Sequence, residues 1–142
     1  MEDKKYEIEK IAEFKKAVER FENKKRFKKL PDQVIELVEQ VSKGEFAGSH
    51  TKHSDTPTPY DVYKLRLPNP DANASKRDGY RVYYMVVTET KIVVFLVIYY
   101  KKETPTVSDT YINGLIDGYF LASSDNENDA NDEEADEPEP EK

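Results

Sequence analysis

The sequence predicts an α+β fold in which an N-terminal pair of helices packs on a small antiparallel sheet. Apolar residues between positions 11 and 44 recur every three or four residues, which indicates two amphipathic helices. Between positions 62 and 100 the pattern changes to alternation and to runs rich in β-branched and aromatic residues, as in strands. A helical pattern returns after residue 106. The resulting order, β-α-α-β-β-β-α, favours an α+β fold with an antiparallel sheet.

The N-terminal elements are a short strand and two helices. Residues 5–10 alternate charged and apolar side chains, which predicts an edge strand. The second helix is expected to begin near Pro31, a good first-turn residue, and to end at Gly44. A short connection joins the two helices, so we expect them to run antiparallel and to cover one face of the sheet. The stripe of the first helix consists of Ile11, Phe14, Val18 and Phe21.

Two strands are predicted between long polar loops. Residues 46–60 are rich in Gly, Ser, Thr, Pro and His and are expected to form a loop. Residues 62–67 alternate and end at Pro68, and residues 80–87 are β-branched and aromatic. The polar stretch 69–79 between them predicts a second loop.

The last two elements are a buried strand and a helix. Residues 92–100 are apolar at nearly every position, which predicts a central strand covered on both faces. Alternation cannot decide which face of this strand is which: one set ends with Tyr99 and Lys101, the other with Tyr100 and Lys102. The final helix is expected to begin near Thr106, within a capping box over residues 106–109.

The charge divides the chain into a domain, 1–122, and a disordered acidic tail, 123–142. The net charge is −7, but the tail alone carries −9 and the domain +2. The tail has no side chain larger and more apolar than Ala, so it cannot bury enough surface to offset its ordering entropy. Positive charge concentrates in residues 52–102, where nine basic residues face five acidic ones. This excess indicates an anionic partner.

The composition excludes several kinds of site. With no Cys there is no disulfide, thiol nucleophile or Cys-ligated metal. His50 and His53 lie near Asp55, but two His in a Pro- and Thr-rich loop are expected to be exposed loop residues, and we predict no metal site and no cofactor. No apolar run reaches ~18 residues, and the N-terminus lacks a signal-peptide core, so we expect a soluble cytoplasmic protein without a membrane partner.

Basic and aromatic side chains are expected to meet on one face of the sheet. Alternation places Lys64 and Arg66 on the face away from the core, and it places Arg81 and Tyr83 there too. If the outer faces align, these residues converge with a Tyr–Lys pair of the last strand; the alternative is an ordinary solvated sheet face. Tyr83 is a candidate for stacking on RNA bases. A second basic cluster at the turn between the helices either binds RNA phosphates or is simply solvated: Lys24, Lys25, Arg26, Lys28 and Lys29.

Three segments in this order resemble the RelE/ParE superfamily of bacterial toxins from type II toxin–antitoxin modules. They read VYKLRL at 62–67, GYRVYY at 79–84 and IYYKKE at 98–103, and the resemblance covers roughly residues 5–118. It implies a metal-independent endoribonuclease that cleaves mRNA, usually on the ribosome, and pairs with a cognate antitoxin. Other members poison DNA gyrase and cleave nothing. The alternative is therefore a non-catalytic protein that binds gyrase or only its antitoxin.

The resemblance also implies a catalytic set on the sheet face: Lys64, Arg66, Arg81, Tyr99 and Lys101. The family pattern selects Tyr99 and Lys101 over the neighbouring Tyr–Lys pair. Arg66 and Arg81 are candidates for phosphate binding, because the guanidinium is planar and always charged.

The proton-transfer roles stay open at this point. Lys64 or Tyr99 is the candidate base and Lys101 or Tyr99 the candidate acid, with crowded cations expected to favour the phenolate. The GYRVYY motif of Arg81 also occurs in members of uncertain activity, so the alternative role for this Arg is to support the sheet. As predicted surface residues, Lys64 and Arg81 should tolerate Ala within about 0.5 kcal/mol of stability.

Overall fold

A computed structural model describes residues 5–51 and 58–129 of the chain, with the backbone alone for 123–129. Contacts divide the chain into two compact units, Met1–Val107 and Ser108–Lys142. In the described residues the elements are β1 (Glu7–Lys10), α1 (Ala12–Asn23), α2 (Leu30–Ser42), β2 (Ser49–Thr51), β3 (Asp61–Leu67), a 3-10 turn (Pro70–Ala72), β4 (Tyr80–Val87), β5 (Ile92–Tyr100) and α3 (Asp109–Asp129). The predicted α+β class is confirmed, with three helices and a five-stranded sheet.

The helix pair packs on one face of the sheet, as expected from the apolar stripes. Phe14 and Phe21 of α1 are fully buried and belong to the same core as Tyr80, Tyr84 and Phe95 of the sheet. The stripe of α2 joins this core through Leu30, Val34, Leu37 and Val41. The core therefore lies between the helices and one sheet face, which we call the inner face; the opposite face of β3, β4 and β5 is the outer face.

The sheet is mixed rather than antiparallel. Its order is β1-β5-β4-β3-β2, and β1 pairs with β5 in parallel, with Glu7 opposite Ile92. The expectation of an antiparallel sheet is wrong at this edge. Alternation of side chains identifies a strand but carries no information about the direction of its partner.

The loop predicted over residues 46–60 contains the short strand β2. It pairs antiparallel with β3, with Ser49 opposite Lys64 and Thr51 opposite Val62. Three residues are too few to show a period of two, so the sequence pattern does not reveal them. Residues 52–57, including His53 and Asp55, lie outside the described part of the chain.

The central position of β5 is confirmed, but its side chains change phase. The strand lies between β1 and β4, and its residues from Val93 to Tyr100 are buried. A bulge interrupts the pairing, because Tyr83 lies opposite Val97 while Tyr84 lies opposite Phe95. Each of the two alternating sets predicted for residues 92–102 therefore changes face at the bulge. Val93 and Phe95 lie in the inner core before it, and Ile98 and Tyr100 lie there after it.

The third helix forms by itself a large part of the second unit. Its first turn is capped by the Ser108 hydroxyl, which accepts a hydrogen bond from the Tyr111 N–H at 3.0 Å. The predicted division at residue 122 falls inside this helix. The disordered tail expected over 123–142 stays a prediction for residues 130–142, which lie outside the described part. Nowhere in the described residues does a helix combine the length and apolarity needed to span a membrane.

Candidate cationic site on the outer sheet face

Pairing of β3, β4 and β5 brings five of the predicted site residues together. Arg66 lies opposite Arg81, and Arg81 lies opposite Tyr99, so the three form one row across the strands. In the adjacent row Lys64 lies opposite Tyr83. The convergence expected from alternation is therefore present on the outer face, whereas the catalytic roles of these residues stay predictions.

The β5 bulge decides which tyrosine reaches the outer face. Beyond the bulge, Ile98 and Tyr100 belong to the inner core, where Tyr100 packs edge-on against Phe27 at 5.5 Å between ring centroids. Tyr99 therefore points the opposite way, beside Tyr83, with 6.5 Å between the ring centroids. The structure thus places Tyr99, and not Tyr100, in the row with Arg66.

A groove of about 440 Å³ runs along β2 and β3 at the edge of this surface. We call it the cationic groove. Its lining includes the side chains of Lys64, Arg66 and Lys76, and among the described residues that line it there is no carboxylate. Its remaining lining residues are small or apolar: Ala47, Gly48, Ser49, Thr51 and Leu65. Three cations along one groove create a local positive potential that favours an anionic ligand.

Arg81 is buried, not exposed as expected, with 3% of its surface accessible. One terminal nitrogen, Nη1, donates to the Lys76 and Tyr80 carbonyls at 2.9 and 3.2 Å. The other, Nη2, donates to the Arg77 carbonyl at 2.8 Å. The prediction that Arg81 is a surface residue is wrong, because the loop before β4 folds back and supplies two of these three acceptors. Its guanidinium cannot present a free fork to a phosphate while these bonds hold.

Tyr99 is also buried, with 6% of its surface accessible. Burial is the main reason that the pKa of its phenol is raised to about 12, and the neighbouring Tyr83 raises it further. The charge of Arg81 lowers the pKa of Tyr99, but by less than burial and Tyr83 raise it. The expected effect of a nearby cation is therefore present at Tyr99, but burial and Tyr83 outweigh it. At neutral pH it is a neutral phenol, which can donate a proton but cannot act as the base.

The ammonium group of Lys64 lies over an aromatic ring of the neighbouring strand β4. Its Nζ lies 5.7 Å from the centre of the Tyr83 ring, a cation–π distance, and Lys64 itself is partly exposed. Tyr83 is only 7% exposed, so it has little ring surface for the predicted stacking on RNA bases. Tyr83 therefore stabilises the Lys64 ammonium group through a cation–π contact.

Lys101 lies one residue beyond β5 and is partly exposed. Its backbone N–H donates to the Gly79 carbonyl at 2.9 Å, which extends the pairing of β4 and β5 past their ends. Lys101 is thus held near the row of Arg81 and Tyr99 by its backbone, but it is not part of the cationic groove lining.

The basic cluster between α1 and α2 is separate from the cationic groove. Its side chains are exposed, and Lys25 pairs with Glu103 at 2.7 Å. Phe27, within the same connection, packs on the inner face against Tyr80 and Tyr100. None of the cluster's five cations lines the groove. RNA binding by Lys24, Lys25, Arg26, Lys28 and Lys29 stays a prediction.

His50, in β2, contacts two residues of the neighbouring strand β3. His50 Nε2 lies 3.0 Å from Asp61 Oδ1, and its ring packs edge-on against Tyr63. Across residues 5–51 and 58–129, no group of three or more His, Cys, Asp or Glu residues could hold a metal ion. His50 is therefore a cross-strand partner of β3 in this structure.

Lys76 is the groove residue that sequence patterns do not identify. It lies in the polar loop before β4, where no periodicity assigns a face. The excess of basic residues across 52–102 is the only sequence sign that includes it.

Comparisons with known proteins give one fold similarity. No protein-family model matches the sequence, and no curated protein matches it. A chain in the crystal structure of the archaeal RelE-RelB complex from Pyrococcus horikoshii OT3 is similar in fold to this protein. It is 20% identical to this chain, and the match covers 68% of this chain and 96% of that chain, with a TM-score of 0.41.

Proposed function

We propose that this protein is a RelE/ParE-like toxin that binds mRNA at the cationic groove and cleaves it, which stops translation. The observation that carries the proposal is the groove itself, where Lys64, Arg66 and Lys76 line one surface. A chain of phosphodiesters is the natural anion for such a surface, because neutralising phosphates with Lys and Arg releases condensed counterions. The sequence resemblance adds a cognate antitoxin as the protein partner.

The proposed chemistry uses only groups of the RNA and of this chain. The ribose 2′-oxygen attacks the adjacent phosphorus, and the bond from phosphorus to the 5′-oxygen breaks. This leaves a 2′,3′-cyclic phosphate and a 5′-hydroxyl. A base takes the proton of the 2′-hydroxyl, and an acid supplies one to the leaving 5′-oxygen.

Each step has a candidate side chain, either in the groove lining or in the strand row beside it. Arg66 is exposed and permanently charged, so it can stabilise the charge that develops on the phosphate oxygens. Lys64 is the candidate base, because burial keeps Tyr99 protonated. Tyr99 and Lys101 are the candidate acids. Arg81 has an indirect role, because its hydrogen bonds hold the backbone of Lys76 and Arg77.

A second candidate function is a non-catalytic toxin-fold protein that binds DNA gyrase or only its antitoxin. Two observations favour it. The two terminal nitrogens of Arg81 donate hydrogen bonds to backbone carbonyls, and Tyr99 is buried. Two of the five predicted catalytic side chains are therefore less available than the resemblance implies.

Primer extension on an mRNA during translation in vitro distinguishes the two functions. The full chain should produce discrete cuts within codons, and Arg66→Ala should reduce them about 100-fold or more, because one lost charge-stabilising donor costs roughly this factor. Lys16→Ala is the matched control: Lys16 is an exposed cation on α1 and should leave the cuts unchanged. Intact mRNA with the wild-type chain would overturn the proposal, and gyrase-dependent DNA breaks would then support the second function.

A further inference from the structure

We propose that Lys76 is a third phosphate-binding residue of the cationic groove, and that Arg81 is the residue that positions it. The inference rests on the proposed function of the groove. It assigns a role to a residue that lies outside the three segments that resemble the toxin family. It also gives the buried guanidinium of Arg81 a role in binding that does not require contact with RNA.

The loop that carries Lys76 is anchored to α2. The side-chain amide of Gln33 donates to the Pro68 carbonyl at 2.8 Å. At the start of the same helix, the Lys29 N–H donates to the Asp71 carboxylate at 2.9 Å. Two separate hydrogen bonds therefore hold the first half of the loop against a rigid element.

Backbone hydrogen bonds also organise the loop internally. Asn69 and Ala74 exchange two bonds, each 2.9 Å long, which close the turn between them. Further along, the Asp78 N–H donates to the Ser75 carbonyl at 3.0 Å. Lys76 thus lies within a second turn, which this hydrogen bond closes.

Arg81 joins this second turn to the outer sheet face. It binds the carbonyl of Lys76 itself and the carbonyl of the next residue, Arg77. Because Arg81 lies opposite Arg66 in the sheet, these bonds hold the Lys76 backbone beside the row that contains Arg66. A buried guanidinium is stable in this position because the carbonyls satisfy its donors.

The result is a groove whose cations come from two different elements. Lys64 and Arg66 come from β3, whereas Lys76 reaches the groove from the loop. Lys76 and Arg66 also line an adjoining groove of about 560 Å³, which Glu36, Glu39 and Glu45 line as well, so the two cations lie where the grooves meet. A single RNA strand bound in the cationic groove would have phosphates within reach of β3 and of the loop at once. Such binding depends on phosphate charge and not on base identity.

Salt-dependent RNA binding tests the role of Lys76. The full chain is titrated with a fluorescein-labelled single-stranded 12-mer carrying 2′-O-methyl groups, which cannot be cleaved, from 50 to 300 mM KCl. Lys76→Ala should weaken binding about 3- to 10-fold at 50 mM. It should also reduce the slope of log affinity against log salt by about 0.7, the value for one phosphate contact with a single strand. Arg77→Ala is the matched control, since Arg77 is the next residue, is exposed and does not line the groove.

Arg81→Lys tests positioning, because Lys keeps the charge but has one nitrogen in place of the two that reach the three carbonyls. It should reduce affinity and slope as Lys76→Ala does, and the double variant should lose no more than either single variant. A purely structural role would lower the melting temperature while leaving the slope unchanged, and this result would overturn the role of Arg81. If Arg81→Lys does not fold, Arg81→Gln takes its place, because its amide still donates two hydrogen bonds.

Arg66→Ala separates failure of the inference from failure of the proposed function. If Arg66→Ala weakens binding and Lys76→Ala behaves like Arg77→Ala, the inference is overturned and the groove remains an RNA site. If the wild-type chain does not bind the RNA, or if neither Arg66→Ala nor Lys76→Ala changes binding, the proposed function of the groove fails as well.

Discussion

Two arginines that face each other across β3 and β4 have opposite environments. Arg66 is exposed and lines the cationic groove, whereas Arg81 is buried and bonded to three backbone carbonyls. The same residue type is thus exposed at the groove in one position and bonded to the backbone in the other. Residue type and alternation are the same for the two, so the sequence pattern alone does not distinguish them.

The two arginines should therefore differ in their contribution to stability. Arg81→Ala leaves three carbonyls without their charged donor and should lower the free energy of unfolding by about 2–3 kcal/mol. Arg66→Ala, the matched control in the same row, should change it by no more than about 0.5 kcal/mol, because its side chain is exposed. Urea unfolding followed by circular dichroism measures both. Equal losses in the two variants would contradict the assigned roles.

At the scale of elements, the loop before β4 lies in close backbone contact with the end of β3. Gly79 precedes β4, and a Cβ at this position would lie 2.1 Å from the Leu67 carbonyl oxygen of β3. The Asn69 N–H would lie close to it as well, with the nitrogen at 3.0 Å. Only glycine allows the loop to return to the sheet so tightly.

Gly79→Ala should therefore destabilise the chain, by about 1–3 kcal/mol, since backbone atoms must move to admit the methyl group. Gly114→Ala in α3 is the matched control. A Cβ there meets nothing within 4 Å, and Ala favours a helix over Gly by about 0.5–1 kcal/mol. Thermal unfolding of both variants measures the contrast. A neutral Gly79→Ala would show that the approach of the loop to β3 is looser than the structure has it.

On the scale of the whole molecule, we expect the acidic C-terminal segment to oppose the binding of an anion. The full chain has a net charge of −7, and residues 130–142 contribute seven acidic side chains and one Lys to it. Their removal leaves −1 and retains every described residue. A long-range repulsion of RNA by this segment follows from charge alone.

Deletion of residues 130–142 should tighten RNA binding at about 50 mM salt. The gain should shrink as salt rises, because screening weakens the repulsion. A full-length chain with Asn and Gln in place of the Asp and Glu of this segment is the control for charge without loss of length. Anisotropy with the uncleavable RNA measures all three chains. Equal affinities at low salt would show that the segment has no electrostatic effect on the groove.

Local pattern predicts the elements well where the pattern is long. The stripes of α1 and α2, the alternation of β3 and the apolar run of β5 each extend over several residues, and the corresponding elements form. It fails for β2, which is too short, and for the direction of β1, which depends on a partner distant in sequence.

By itself, the sequence determined that cations alternate along β3 and that a helix pair covers the inner face. Only the tertiary structure decided three features of the site. The β5 bulge directs Tyr99 to the outer face, the loop carbonyls bury Arg81, and the same contact brings Lys76 to the groove. The physical reason is common to all three. Side-chain patterns record which face prefers water, whereas a bulge and a carbonyl acceptor are properties of the backbone that appear only when distant segments meet.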